Sequence, residues 1–230
     1  MTLTARDRAR AEITGEIKAV ARRHLAEQGS AALSLRAVAR EVGMVSSAVY
    51  RYFPSRDDLL TALIIDAYNA VGAAAEAALA AHRRRATAQR WVGVSLAIRA
   101  WALANPQEYA LIYGSPVPGY TAPQDTVDPA SRVPLALLQI VVDGVAVGEI
   151  NTDDTKAVPR TIHADFAILR AAAAPNVPDA VVSRALLAWS QLFGSISLEL
   201  FGHLHNVIHD FDAYFTLQMR RAGEFLATGT

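Results

Sequence analysis

Between Ser34 and Asp57 the sequence SLRAVAREVGMVSSAVYRYFPSRD leaves few ways to fold, because it reads as two short helices joined by a tight turn. Ser34 is a favourable N-cap, Leu35, Val38 and Val42 follow at three- and four-residue spacing, and Gly43 stops the first helix. After the turn Gly43-Met44-Val45 a second helix is predicted from Ser46 to Phe53. Pro54 closes it, since proline disfavours helical geometry in the residue before it. Helical spacing puts Val45, Val49 and Phe53 on an inward face and Ser46, Ser47, Tyr50 and Arg51 on an outward one.

Two helices across a glycine turn, the second showing small hydroxyls, a tyrosine and an arginine, make a helix-turn-helix that fits a major groove. Tyr50 and Arg51 reach phosphate oxygens or base edges from such a helix. Ser55 caps a third helix, with Asp58 in the capping-box position. Arg56 in that first turn opposes the helix macrodipole. A phosphate bound at the helix N-terminus explains it, and a solvated arginine explains it equally well.

Ser34, Leu35, Arg36, Val38, Ala39, Val42, Gly43, Val49, Tyr50, Tyr52, Phe53, Pro54, Ser55, Arg56 and Leu59 match, in order and spacing, the DNA-binding domain of the TetR family of transcriptional regulators. The resemblance covers about the first quarter of the chain, and departs from the family at Arg56, where lysine is frequent. It implies an all-α protein: an N-terminal three-helix helix-turn-helix domain followed by a larger helical ligand-binding and dimerisation domain. It also implies a homodimer on a palindromic operator, most often a repressor, released from double-stranded DNA by a small molecule. The DNA-binding residues expected on this basis are Ser34, Arg36, Ser46, Ser47, Ala48, Tyr50, Arg51, Tyr52 and Arg56.

Composition agrees with this reading. In 230 residues, 52% hydrophobic content is ample for a core. The absence of cysteine excludes a disulfide framework, a thiolate zinc site and a cysteine nucleophile. Net charge is zero, but residues 1–57 hold ten Lys/Arg against six Asp/Glu, so the basic end is the helix-turn-helix end. No signal region opens the chain and no uninterrupted apolar run is long enough to span a bilayer, so a cytoplasmic protein without membrane contact is expected.

The first helix is predicted over Arg6–Ala26, with Ile13, Ile17 and Val20 on one stripe and Arg6, Arg8 and Arg10 free to touch phosphates or solvent. The domain plan is residues 1–54 for DNA binding, 55–81 for a linking helix, and 82–230 for the ligand-binding and dimerisation domain. In the last part helices are expected over Ala86–Ala104, to Tyr113, from near Pro134, from Pro159 to Ala174, over Asp179–Leu204 and over Asp210–Ala227. Ser115–Ala130 reads as a proline-rich loop, Asp143-Gly144 carries a competing hairpin signal, and a polar loop runs through Asn151, Asp153 and Asp154.

The small residues Gly194 and Ser197, with Phe201, Phe211, Phe215 and Met219, are the candidates for helix pairing with a second copy, against the alternative of packing within one chain. Trp101, Tyr109, Tyr113, Trp189 and Phe193 combine apolar bodies with a few polar tips, the mix expected of a mostly apolar effector pocket, against the alternative that aromatics at helical spacing are core. His205 and His209 have metal-sharing spacing on a continuous helix, with His203 and Asp212 nearby, but Asn206 and Asp210 argue that the helix ends there, so no metal is expected. No phosphate-binding loop, nucleophile elbow or carboxylate pair is present, so neither an enzyme nor a bound cofactor is expected. A helical partner-binding scaffold without DNA binding is the other reading; it calls for a damaged recognition helix, whereas Tyr50 and Arg51 are intact.

Overall fold

The computed structural model describes residues 4–29, 32–153 and 158–229, so Asp154 lies outside the described residues. Ten α-helices, and no strand, occur among them: α1 (Ala5–Gln28), α2 (Leu35–Glu41), α3 (Ser46–Val49), α4 (Arg56–Ala81), α5 (Thr87–Ala104), α6 (Pro106–Tyr113), α7 (Val127–Ala146), α8 (His163–Ala173), α9 (Asp179–Leu200) and α10 (Phe211–Thr228). The chain divides into two compact units, Met1–Asn69 with Asn105–Pro129, and Ala70–Ala104 with Ala130–Thr230.

The first unit closes around Ile17, Val38, Val49, Leu59, Leu60 and Leu63, all at most 1% exposed. Capping by Thr4, whose hydroxyl accepts from the Asp7 N–H while the Asp7 carboxylate accepts from the Thr4 N–H, starts α1 one residue before the expected Arg6. Lys18 and Arg22 of α1 both hold Asp66 of α4, at 2.7 and 2.6 Å, and Arg22 also reaches Glu108 of α6 at 3.0 Å. Val117 and Tyr120 fold back onto this core, and the Tyr120 hydroxyl lies 2.9 Å from that of Thr61. Part of the stretch expected to be a loop is therefore core, and Gln124–Thr126 is a 3₁₀ turn leading into α7.

In the second unit α5 packs most closely on α10. A side chain at Gly223 would place its Cβ 3.0 Å from the Ala88 carbonyl oxygen, so glycine sets how closely these helices approach. α7 begins at Val127 and carries Pro134 in its interior; no hairpin forms at Asp143-Gly144, and the helix runs on to Ala146. α9 ends at Leu200, four residues before the expected Leu204.

Three buried arginines tie this unit together. Arg99 of α5 donates from Nε and Nη2 to both oxygens of Glu199 on α9 and from Nη1 to Asp212 on α10, each at 2.7 Å. Arg90 pairs with Asp143 at 2.6 Å, and Arg184 donates to the Leu226 carbonyl at the end of α10 and to the Asn151 carbonyl. A guanidinium stays charged wherever it is placed, so its burial is tolerated where carboxylates or carbonyls accept from it, as they do here.

By length and composition α4, the segment Gln124–Ala146 and α9 are apolar enough to cross a membrane, although charged residues interrupt the apolar run in each. Each nonetheless carries charged side chains paired within its unit: Asp66 on α4, Asp143 on α7, Arg184 and Glu199 on α9.

Candidate nucleic-acid interface and apolar cavity

Ser34 occupies the N-cap of α2 but its side chain makes no capping hydrogen bond. Gly43 adopts φ +74°, the left-handed conformation that turns the chain between α2 and α3. The α-helical part of the second helix is only Ser46–Val49, shorter than the expected Ser46–Phe53. Beyond it the coil tightens: Arg51 and Tyr52 donate to carbonyls three residues back, and Phe53 to Val49 four back.

Val49 (0% exposed) and Phe53 (6%) face the core as expected, but Val45 does not; it is 71% exposed. Val45 is the extended N-cap of α3, outside the helical spacing that placed it inward. Ala48 is also corrected: grouped with groove-facing residues from the sequence, it is buried beside Val49. Arg36, Ser47, Tyr50 and Arg51 are exposed, and Ser46 is half-buried.

Tyr52 is half-buried against the core, with the Arg10 guanidinium 5.0 Å from its ring centre. Arg10 also reaches the Arg51 carbonyl in a long contact of 3.5 Å, so the start of α1 lies beside the turn after α3. Arg56 pairs with Asp57 at 3.2 Å, and the Ser55 hydroxyl accepts from the Asp58 N–H at 3.1 Å. Asp57 and Asp58 make that first turn acidic, which offsets the cation and leaves less reason for a bound phosphate at Arg56. By contrast, no carboxylate among the described residues pairs with Arg36, Arg40 or Arg51.

The recognition unit is braced from behind. Glu41, the last residue of α2, is held by Arg23 of α1 and lies 2.5 Å from Nε2 of the buried His24. The Arg23 guanidinium, and after it His24, keep the Glu41 carboxyl below the usual carboxylate range. Nothing in the helix-turn-helix pattern signals this brace, because it joins residues 17 apart through side chains.

The five aromatics expected to line one pocket are divided. Tyr109 and Tyr113 belong to the first unit, where Tyr109 is fully buried and Tyr113 packs on it and on Tyr68, with ring centres 5.2 and 6.1 Å apart. Burial pushes the Tyr113 phenol well above its ordinary pKa. Trp189 and Phe193 form an edge-to-face pair in the second unit, at 5.7 Å.

The second unit holds a cavity of about 310 Å³. Its walls are Trp91 of α5, Pro134, Leu137, Leu138 and Val141 of α7, Leu169 and Arg170 of α8, Ala174 and Val177 of the following loop, and Val182, Ala185, Leu186 and Trp189 of α9. Of the expected lining only Trp189 takes part; Trp101 and Phe193 are half-buried elsewhere on their helices. The aliphatic walls from α7 and α9 carried no signal in the sequence beyond ordinary core periodicity.

On α9 the exposed residues Leu187, Gly194 and Leu198 fall on one stripe, which the exposed C-cap Phe201 continues. Helical spacing puts the cavity-lining Val182, Ala185 and Trp189 on nearly the opposite side, with Leu186 between the two faces. Phe215 and Met219, expected at a dimer contact, face the core of their own unit at 1% and 0% exposure, and Arg99 lies 5.1 Å from the Phe215 ring. Gly194 and Phe201 are exposed, whereas Ser197 and Phe211 are half-buried. His203, His205 and His209 follow the end of α9, on no common helix, and no cluster of three metal-ligating side chains occurs among the described residues.

Two family models match the chain: bacterial regulatory proteins of the tetR family over residues 17–63, and the tetracyclin repressor-like C-terminal domain over residues 91–222. The HTH-type transcriptional regulator Rv1816 of Mycobacterium tuberculosis is 43% identical over 199 residues, covering 84% of this chain and 83% of that protein. The solved structure of SCO4313, described as a regulatory protein, superposes with a TM-score of 0.76 at 36% identity, covering 95% of this chain and 98% of the other. A protein from Rhodococcus sp. RHA1 shares the fold at a TM-score of 0.70 and 24% identity, over 94% and 95% of the two chains.

Proposed function

The chain belongs to the TetR family of helix-turn-helix transcriptional regulators, and we propose that it acts as a cytoplasmic homodimeric repressor on a palindromic operator, released by a small apolar effector. The observation that carries this reading is the exposed strip Ser47, Tyr50 and Arg51, with Arg36 nearby in sequence on α2, set on a buried core and without a carboxylate partner among the described residues. Tyr50, Arg51 and Arg36 serve mainly as phosphate contacts, and Ser46 and Ser47 let the helix approach the bases. Tyr52 contributes by packing the turn onto the core beside Arg10, while Ser34 and Arg56 stand at the starts of α2 and α4, within reach of the DNA backbone.

A dimer is needed because one short helix reads few base pairs, while two copies one helical turn of DNA apart read both half-sites. The stripe Leu187, Gly194, Leu198 and Phe201 supports α9 as the pairing face, with α10 beside it. The effector occupies the cavity, and two elements are suited to relaying its presence. α9 carries cavity wall and pairing stripe on opposite sides, and α7 holds α4 through Arg132, which grips Glu76 at 2.8 and 2.6 Å. α4 continues into the helix-turn-helix unit, so a ligand favouring one setting of α7 biases the recognition helices.

The test is a titration of labelled duplex DNA at several salt concentrations with the native protein, Arg51→Ala and Leu198→Asp. Arg51→Ala is expected to bind more weakly and with a salt slope reduced by about one. Leu198→Asp is expected to elute as a monomer and to lose tight binding. Unchanged slopes and an unchanged dimer would remove the assignments of Arg51 and of α9.

A further inference from the structure

We infer that the cavity of the second unit admits an uncharged apolar ligand and rejects an anion, an assignment that rests on the effector reading above. The lumen meets carbon almost throughout, from Leu137, Leu138, Val141, Val182 and Leu186. Trp91 also lines it, but its indole N–H is buried and makes no hydrogen bond with the described residues.

One charged residue lines the cavity, Arg170, and its cation is already engaged by Asp179 at the start of α9. Asp179 is itself shared with His163. A carboxylate ligand must therefore lie against carbon, or share the Arg170 guanidinium with Asp179 and set two carboxylates on one cation. Either route desolvates an ion without adequate repayment, whereas a hydrocarbon or a small neutral ring system loses nothing on entry. At about 310 Å³ the space suits one or two fused rings rather than a large amphiphile.

The experiment is equilibrium dialysis of the full-length protein against 2-methylnaphthalene and against 2-naphthoate at neutral pH, read by absorbance. Two variants accompany it, Ala185→Phe, which fills the lumen, and Asp179→Asn, which frees Arg170; circular dichroism checks that both fold. The native protein is expected to bind 2-methylnaphthalene at least about tenfold more tightly than 2-naphthoate. Asp179→Asn should narrow that ratio by strengthening naphthoate binding, and Ala185→Phe should abolish binding of the hydrocarbon. Equal or tighter binding of 2-naphthoate by the native protein overturns the charge selectivity while leaving the effector cavity intact. Binding of neither probe, or hydrocarbon binding untouched by Ala185→Phe, overturns the cavity reading and this inference with it.

Discussion

In the helix-turn-helix unit the large apolar side chains close on one another, and what faces outward around α3 is, Val45 apart, small, hydroxylic or basic. In the second unit Trp91 and Leu137 border a cavity instead of a neighbouring side chain, while Leu187, Leu198 and Phe201 remain at the surface. A unit that presents a fixed surface to a regular polymer gains from a filled core that permits little movement. A unit that takes a ligand and a second protomer keeps apolar surface in reserve for both. The second unit then needs another source of rigidity, and Arg90, Arg99 and Arg184 supply it by cross-linking helices through the interior.

That contrast breaks most severely at Arg99. Arg99→Ala strands Glu199, whose side chain is only 10% exposed, and is expected to cost about 3–5 kcal/mol in urea unfolding. Lys18→Ala, at the more exposed pair with Asp66, should cost about 0–1 kcal/mol. Similar losses from the two would mean that the buried pair does not carry the second unit.

A second comparison sets filled core against cavity wall. Leu60→Ala, at 0% exposure in the first unit, should cost about 2–5 kcal/mol, whereas Leu138→Ala should cost about 1 kcal/mol because one side of Leu138 already faces empty space. Equal costs would show that the cavity is closed in solution.

The smallest expected effect concerns Glu149, which accepts from the backbone N–H of Thr87 at 2.6 Å and from its hydroxyl at 2.7 Å, capping α5 from a distant loop. The backbone donor first, then the hydroxyl, holds its carboxyl below the usual value in the folded state. The stabilisation is therefore complete above the unfolded pKa of about 4.3 and is lost as pH falls through the lower folded value. Glu149→Gln should lower stability by about 0.5–1 kcal/mol at pH 7 and make the acid limb of the unfolding curve shallower.

What the sequence made legible follows from how local each signal is. The turn at Gly43, the inward Val49 and Phe53 and the cap at Ser55 depend on neighbours a few residues apart, and they stand where spacing put them. Val45 went astray because it is the extended N-cap before α3 rather than part of the helix, and Ala48 because its small side chain is buried beside Val49. In the second unit, aromatic residues drew attention to Tyr109 and Tyr113, yet proximity in sequence to Trp101 did not put them in its unit. Phe215 and Met219 look identical in sequence whether they face a second copy or α5; only the partner helix decides, and it is α5. Glu199 and Asp212 gave no sign of sharing Arg99, which lies about a hundred residues away.

The central claim is that two copies of this chain read an inverted repeat through the strip on α3. It is tested most directly by selection from a random duplex library at physiological salt, run beside Tyr50→Ala. The account predicts that the native protein enriches an inverted repeat with half-sites about 10 base pairs apart, or a multiple of this, and that Tyr50→Ala does not. Enrichment of a single half-site, of no sequence, or of the same repeat by both proteins would contradict it.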